Sequence, residues 1–184
     1  RLDKGTTGLL VIARTEGARQ KLVGDFETRT ISRQYLALVY GRPIAGETID
    51  RPICRHPGDR RRMTVSDKGK SAVTHFTIEK RYQSHTLLRV RLETGRTHQI
   101  RVHLAEVSLP IVGDPLYGGR LRIPRGASPH LIMYLRQFKR QALHATELSI
   151  IHPESEDRLS WQSPIPDDFF QLLETLKSSR RYDE

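Results

Sequence analysis

Apolar residues recur along this chain in runs whose period switches between two and roughly four. Leu9-Leu10-Val11-Ile12-Ala13 is a continuous apolar run and predicts a buried strand. Thr15 then offers an N-cap for a helix reaching about Arg29, with Ala18, Leu22 and Phe26 at four-residue spacing. Residues 33–40 alternate, with Tyr35, Ala37 and Val39 to one side and Leu36, Leu38 and Tyr40 to the other, until Gly41-Arg42-Pro43 breaks the run. Two β-like runs at 71–82 and 85–93 flank a short polar turn and predict a hairpin. Ile100, His103, Leu104 and Val107 fall at helical spacing, which predicts a helix starting near Thr97 that Pro110 stops. Residues 113–130 form a Gly/Pro-rich loop, 131–138 a helix, and 142–151 and 158–162 strands. After Pro164 and Pro166 a helix over 167–178 turns Phe169, Leu172, Leu173 and Leu176 inward, and Ser178 to Glu184 are expected to fray. Interleaved strands, hairpins and few helices imply an α+β fold with a mixed, mostly antiparallel sheet and flanking helices.

Composition narrows the partners. At 184 residues one domain, or one domain plus appendages, is expected, and 31 Lys+Arg against 21 Asp+Glu leave a net charge of +10. Such a surface attracts polyanions by releasing their condensed counterions, so RNA or DNA is the expected partner. No run is apolar enough to span a bilayer, and no basic amphipathic helix points to a membrane surface. Cys54 is the single cysteine, which excludes an internal disulfide and a cysteine metal site and fits a reducing cytoplasm. It follows Arg51-Pro52-Ile53 at a strand end and is expected to be buried filler rather than a nucleophile.

The chemistry must come from a short inventory. No P-loop, GxGxxG, CxxC, HExxH or deaminase zinc signature is present. His98 and His103 are five apart and cannot share a metal on either a helix or a strand, and His103 is expected to be a hydrogen-bonded core residue. Three groups remain. Asp3 stands between Arg1 and Lys4, which favour its ionised form, and could act as nucleophile or base or could simply satisfy a turn. Tyr35 opens an amphipathic strand and could stack on a base, handle a proton, or pack as a strand residue. Arg101 lies among Ile100, Val102 and Leu104, where burial demands an anion, either a carboxylate such as Asp3 or an RNA phosphate. Arg96 precedes the same helix, where free amides also favour phosphate, and the loop 55–62, with Arg60, Arg61 and Arg62, is a further candidate RNA contact or a solvated charge run.

These segments together resemble the RluA-type family of RNA pseudouridine synthases. The likeness rests on Arg1-Leu2-Asp3-Lys4 with Thr7-Gly8-Leu9, on Arg33-Gln34-Tyr35, and on Gly95-Arg96-Thr97-His98-Gln99-Ile100-Arg101-Val102-His103. Val112-Gly113-Asp114-Pro115-Leu116-Tyr117-Gly118 and Gln141-Ala142-Leu143-His144-Ala145 agree as well, and the likeness extends to about residue 170. Ser32-Arg33, Arg55-His56-Pro57 and Ile165-Pro166 look most like the branch that modifies the helix-69 stem-loop of large-subunit (23S) ribosomal RNA. The resemblance implies that Asp3 is the catalytic aspartate and Arg101 its ion-pair partner. It further implies that Tyr35 lies against the target base and that Arg1 helps fill the space left by the flipped nucleotide. It implies an isomerase that needs no metal and no cofactor, acting as a monomer on 23S rRNA or the pre-ribosomal large subunit. A family member acting on other rRNA or tRNA uridines, or a non-catalytic RNA-binding or ribosome-assembly factor, is the alternative. Gly5 stands where the family often has an acid, and the His that usually precedes Arg1 is not in this chain. Residues 1–177 therefore resemble the C-terminal part of the catalytic domain, whose N-terminal part is expected upstream, often behind an S4-like domain. Strands that would pack beside residues 9–13 are expected there too.

Overall fold

A computed structural model of the chain describes residues 1–178. The central strand is β2 (Ser32–Tyr40), which pairs antiparallel with β7 (His85–Leu92) and with β8 (Leu143–Ile151). β6 (Val73–Arg81) extends the sheet beyond β7, and β3 (Glu47–Asp50) forms that edge. The far side of β8 is shared: β1 (Thr7–Gly8) pairs parallel with its first residues and β9 (Arg158–Gln162) antiparallel with its last. The α+β fold with a mostly antiparallel sheet is therefore the one expected. Thr15 caps α1 (Glu16–Glu27) through a bond from the Ala18 N–H, as its position before the apolar-periodic run requires.

Tyr35 through Tyr40 are all buried, so the alternation along β2 separates two covered faces rather than core from solvent. α2 (Gln99–Glu106) contributes Ile100 and Leu104 to the main core. α3 (Pro129–Gln137) and α4 (Asp167–Ser178) contribute Leu131, Leu135, Phe169, Leu172, Leu173 and Leu176. Leu38 and Leu88 are fully buried on adjacent strands, and trimming either to Ala would cost about 2–5 kcal/mol.

Three expectations need correction. Residues 9–13 are not a strand: pairing stops at the Leu9 N–H bond to Ala145, and β9 takes the rest of that edge of β8. Leu9, Val11 and Ala13 pack on a small second core with Leu22 and Ile31, while Leu10 and Ile12 are exposed. The helix expected to start near Thr97 forms and begins at Gln99, because His98 is left-handed with φ +57°. Three short strands escaped the periodicity: β3, and the pair β4 (Ile53–Arg55) and β5 (Met63–Val65), which makes the basic loop the tip of a hairpin. Each has four residues or fewer, too few for alternation to declare itself. Cys54 lies inside β4 and is only half-buried. Of the expected tail, Ser178 ends α4 and 179–184 lie outside the described residues.

Candidate active site

The turn carrying Asp3 is fastened to the start of β8. Gly8 approaches that strand so closely that a Cβ would stand 2.1 Å from the Ala145 carbonyl oxygen, and its φ of +107° also excludes most side chains. The buried Gln141 amide donates to the Lys4 carbonyl at 2.8 Å and to Thr6 Oγ1 at 3.0 Å. Thr6 N–H closes the turn on the Asp3 carbonyl at 2.9 Å, and Thr7 Oγ1 sits 2.9 Å from His144 Nδ1. The carboxylate therefore projects from a loop whose backbone polar groups are paired locally.

The opposing wall is the start of α2. Buried Gln99 accepts from Thr94 Oγ1 and the Arg96 N–H and donates to Val73 O and Thr74 Oγ1, which ties the turn before α2 to β6. His103, fully buried, bonds Thr74 Oγ1 and the Arg51 carbonyl at 2.9 Å each, the core role expected of it.

Arg101 is the link between the walls. Its Nε and Nη2 donate to Asp114 Oδ2 and Oδ1 at 2.7 and 2.9 Å, and its Nη1 reaches Asp3 Oδ2 at 3.3 Å. The anion that its surroundings demand is thus Asp114 first and Asp3 second. Asp114 Oδ1 also accepts from the Leu116 and Tyr117 N–H groups at 2.9 and 3.0 Å. Burial works against the Arg101 cation, and Asp114 with Asp3 more than offsets this, so its pKa is raised. Tyr117 closes the cluster, its ring centroid 5.0 Å from the Arg101 Cζ. The Tyr117 hydroxyl accepts from the Met63 N–H at 2.7 Å and is hydrogen-bonded to His98 Nδ1 at 2.9 Å. Burial holds the His98 imidazole below its ordinary value, with Asp3 opposing and Arg101 reinforcing it.

Asp3, Tyr35, Arg101, Arg1 and Arg96 line one cleft of about 580 Å³, as does His98. Tyr35 is 8% exposed, and burial pushes its phenol up while Arg33 pulls it down and Asp3 adds to the rise. Arg1 crosses the mouth to Thr97 Oγ1 at 2.6 Å, and Arg96 Nε bonds the Ser71 carbonyl. Arg60, Arg61 and Arg62 are not among the lining residues. Arg61 pairs with Asp59 at 3.3 Å, and Arg62 lies over the Tyr117 ring at 5.3 Å.

Sequence reasoning assigned no role to Asp114, Tyr117, His98 or Gln141. Asp114 carried one usable signal, an acid between Ile111-Val112 and Leu116 that the buried Arg101 could match. The left-handed His98 had none, because strain in a non-glycine residue leaves no trace in periodicity. Among the described residues no group of three or more His, Cys, Asp or Glu could hold a metal ion, and no helix is long and apolar enough to cross a membrane.

Comparison with known proteins bears on this geometry. A family model described as RNA pseudouridylate synthase matches residues 1–106. The ribosomal large subunit pseudouridine synthase D of Pseudomonas aeruginosa is 52% identical over 180 residues, covering 98% of this chain and 56% of that protein. Its counterpart in Escherichia coli (strain K12) is 52% identical over 178 residues, covering 97% of this chain and 55% of that protein. The chain thus spans little more than half the length of the curated relatives it matches. Among solved structures, human RNA pseudouridylate synthase domain containing 4 superposes with a TM-score of 0.75 at 28% identity, over 96% of this chain and 74% of that one. Human RNA pseudouridylate synthase domain containing 1 shares the fold, with a TM-score of 0.70 at 23% identity over 97% of this chain and 78% of that one.

Proposed function

The chain belongs to the RNA pseudouridylate synthase family, and we propose that it isomerises uridine to pseudouridine in 23S ribosomal RNA, within the helix-69 stem-loop. The observation that carries the reading is Arg101, nearly inaccessible and held by Asp114, extending its remaining nitrogen to Asp3 at the cleft that Tyr35 also lines. A binding module has no need to bury a cation in order to aim a carboxylate.

In this reading residues 1–177 are part of the catalytic domain. The target nucleotide leaves its stack at a cost of a few kcal/mol, smallest in a loop. Arg1 occupies the space it vacates, and Arg96 with the 60–62 hairpin tip takes phosphates. Asp3 acts on the ribose as the uracil N-glycosidic bond breaks. The base turns and rejoins the same ribose through carbon, that carbon loses its proton and the freed ring nitrogen gains one, and Tyr35, lying against the base, takes part in this proton transfer. Arg101 holds the Asp3 carboxylate in position through the reaction. In this reading the protein works as a monomer in a reducing, cytoplasmic setting, with which the lone Cys54 of this sequence is consistent.

Incubation of the full chain with a 23S fragment carrying the stem-loop, followed by carbodiimide mapping of pseudouridine, tests the proposal. Modification by the wild type and none by Asp3→Asn, with RNA affinity retained, is the expected result. Tight, salt-sensitive binding by a wild type that forms no pseudouridine on any ribosomal RNA would favour the assembly-factor reading.

A further inference from the structure

Of the two cleft arginines without a part in the mechanism, Arg29 pairs with Glu93 and, among the described residues, Arg33 does not pair. Arg33 stands two residues before Tyr35 in β2, so both side chains leave the strand on one face, and both line the cleft. Its guanidinium lies over the Phe26 ring, with Cζ 4.9 Å from the centroid. Its Nη1 fills the space beside Gly95, where a Cβ would come within 2.8 Å of it. Neither neighbour offers the nitrogens an acceptor through a side chain. Nε is buried without a hydrogen-bond partner, and Arg33 has no ion pair among the described residues. The carboxylates along the same cleft are committed elsewhere: Asp3 to Arg101, Glu93 to Arg29 and His75, Glu147 to Arg89. Glu27 is on the rim and exposed.

A guanidinium does not give up its proton in a protein, so this charge is held partly out of water without a counter-ion. Burial accordingly pushes its pKa down. Such a group loses solvation in the free protein and recovers the loss when an anion arrives. Its planar fork suits a phosphate, and stacking on Phe26 fixes the plane in advance. At about 3.3 Å per residue it stands roughly 7 Å along β2 from Tyr35, to one side of that ring in the same cleft.

We propose that Arg33 is a preformed site for one phosphodiester of the RNA strand, next to the target nucleotide. The inference rests on the function proposed above, and it is a binding role distinct from the chemistry.

The test pairs protein variants with RNA in which single phosphates flanking the target uridine are replaced by neutral methylphosphonates. Arg33→Gln should raise the Kd for the stem-loop about tenfold or more and make its dependence on salt shallower by about one phosphate. Arg33→Lys, which keeps the charge and loses the fork, should lie between. The single-turnover rate at saturating RNA should change by less than about threefold. One methylphosphonate should weaken wild type by a similar factor and have little further effect on Arg33→Gln, as expected of two partners in one contact. Should Arg33→Gln fail to fold, the methylphosphonate series on wild type and Gly95→Ala, which crowds Nη1, carries the same comparison. Equal Kd for Arg33→Gln and wild type would overturn the proposal. So would an unchanged Kd with a slower rate and a displaced pH profile, since the guanidinium would then act on the Tyr35 phenol. These binding measurements do not need turnover, so they decide the role of Arg33 even if the wild type forms no pseudouridine.

Discussion

Two arginine-rich stretches of this chain have opposite fates. In the segment 95–103, Arg101 is buried, held by two carboxylates and stacked on Tyr117. In the segment 55–62, Arg55 at the end of β4 and Arg60 and Arg61 at the hairpin tip are exposed, and Arg61 meets only the local Asp59. The second stretch is denser in charge, yet the first builds the cleft. Charge density therefore locates attraction for a polyanion, while a buried and fully partnered charge locates a designed geometry. Tyr117 joins the two regions, with Arg101 and Arg62 both over its ring and its hydroxyl on the Met63 backbone.

The largest expected effect lies in the buried region. Asp3→Asn should lower the single-turnover rate of pseudouridine formation by about a thousandfold or more, with the Kd for RNA within about threefold. A loss below tenfold would remove Asp3 from the chemistry. Next, Asp114→Ala should cost about 3–5 kcal/mol in urea unfolding, because it strands the Arg101 cation with Asp3 alone. A cost below about 1 kcal/mol would mean that Asp3 or water can replace Asp114, and the contrast between the regions would fail. Tyr117→Phe probes the shared ring. It removes the acceptor of the Met63 N–H and should cost about 1–2 kcal/mol in the same assay. The smallest effect belongs to the hairpin tip. Arg60→Ala with Arg61→Ala should leave the unfolding midpoint where it is and flatten the salt dependence of RNA binding by at most about two phosphates. A shifted midpoint would show that the tip is structural after all.

Much of this was legible in the residues. The C-terminal helix, the hairpin of β6 and β7, and β2 followed from apolar spacing over eight residues or more. The short strands did not, and the apolar run at 9–13 misled, because a strand needs a free edge and β9 occupies the one available on β8. Asp3, Tyr35 and Arg101 could be named as candidates from charge and surroundings, and they do line one cleft. Arg60, Arg61 and Arg62 could be named too, and they lie apart from it.

The amino-acid sequence by itself determined which groups are available: one unusual carboxylate, one aromatic at a strand start, a surplus of cations and no metal-ligand set. The tertiary structure decided which of them meet. Asp3 and Arg101 are 98 residues apart along the chain, and Asp114 is 13 residues beyond Arg101 in a loop without periodicity. Only the closing of β1 on β8 and the docking of α2 on β6 bring the three together. Burial then raises the cost of any unpaired charge among them, and that cost is why Arg101 has its two carboxylates and why the unpartnered Arg33 stands out.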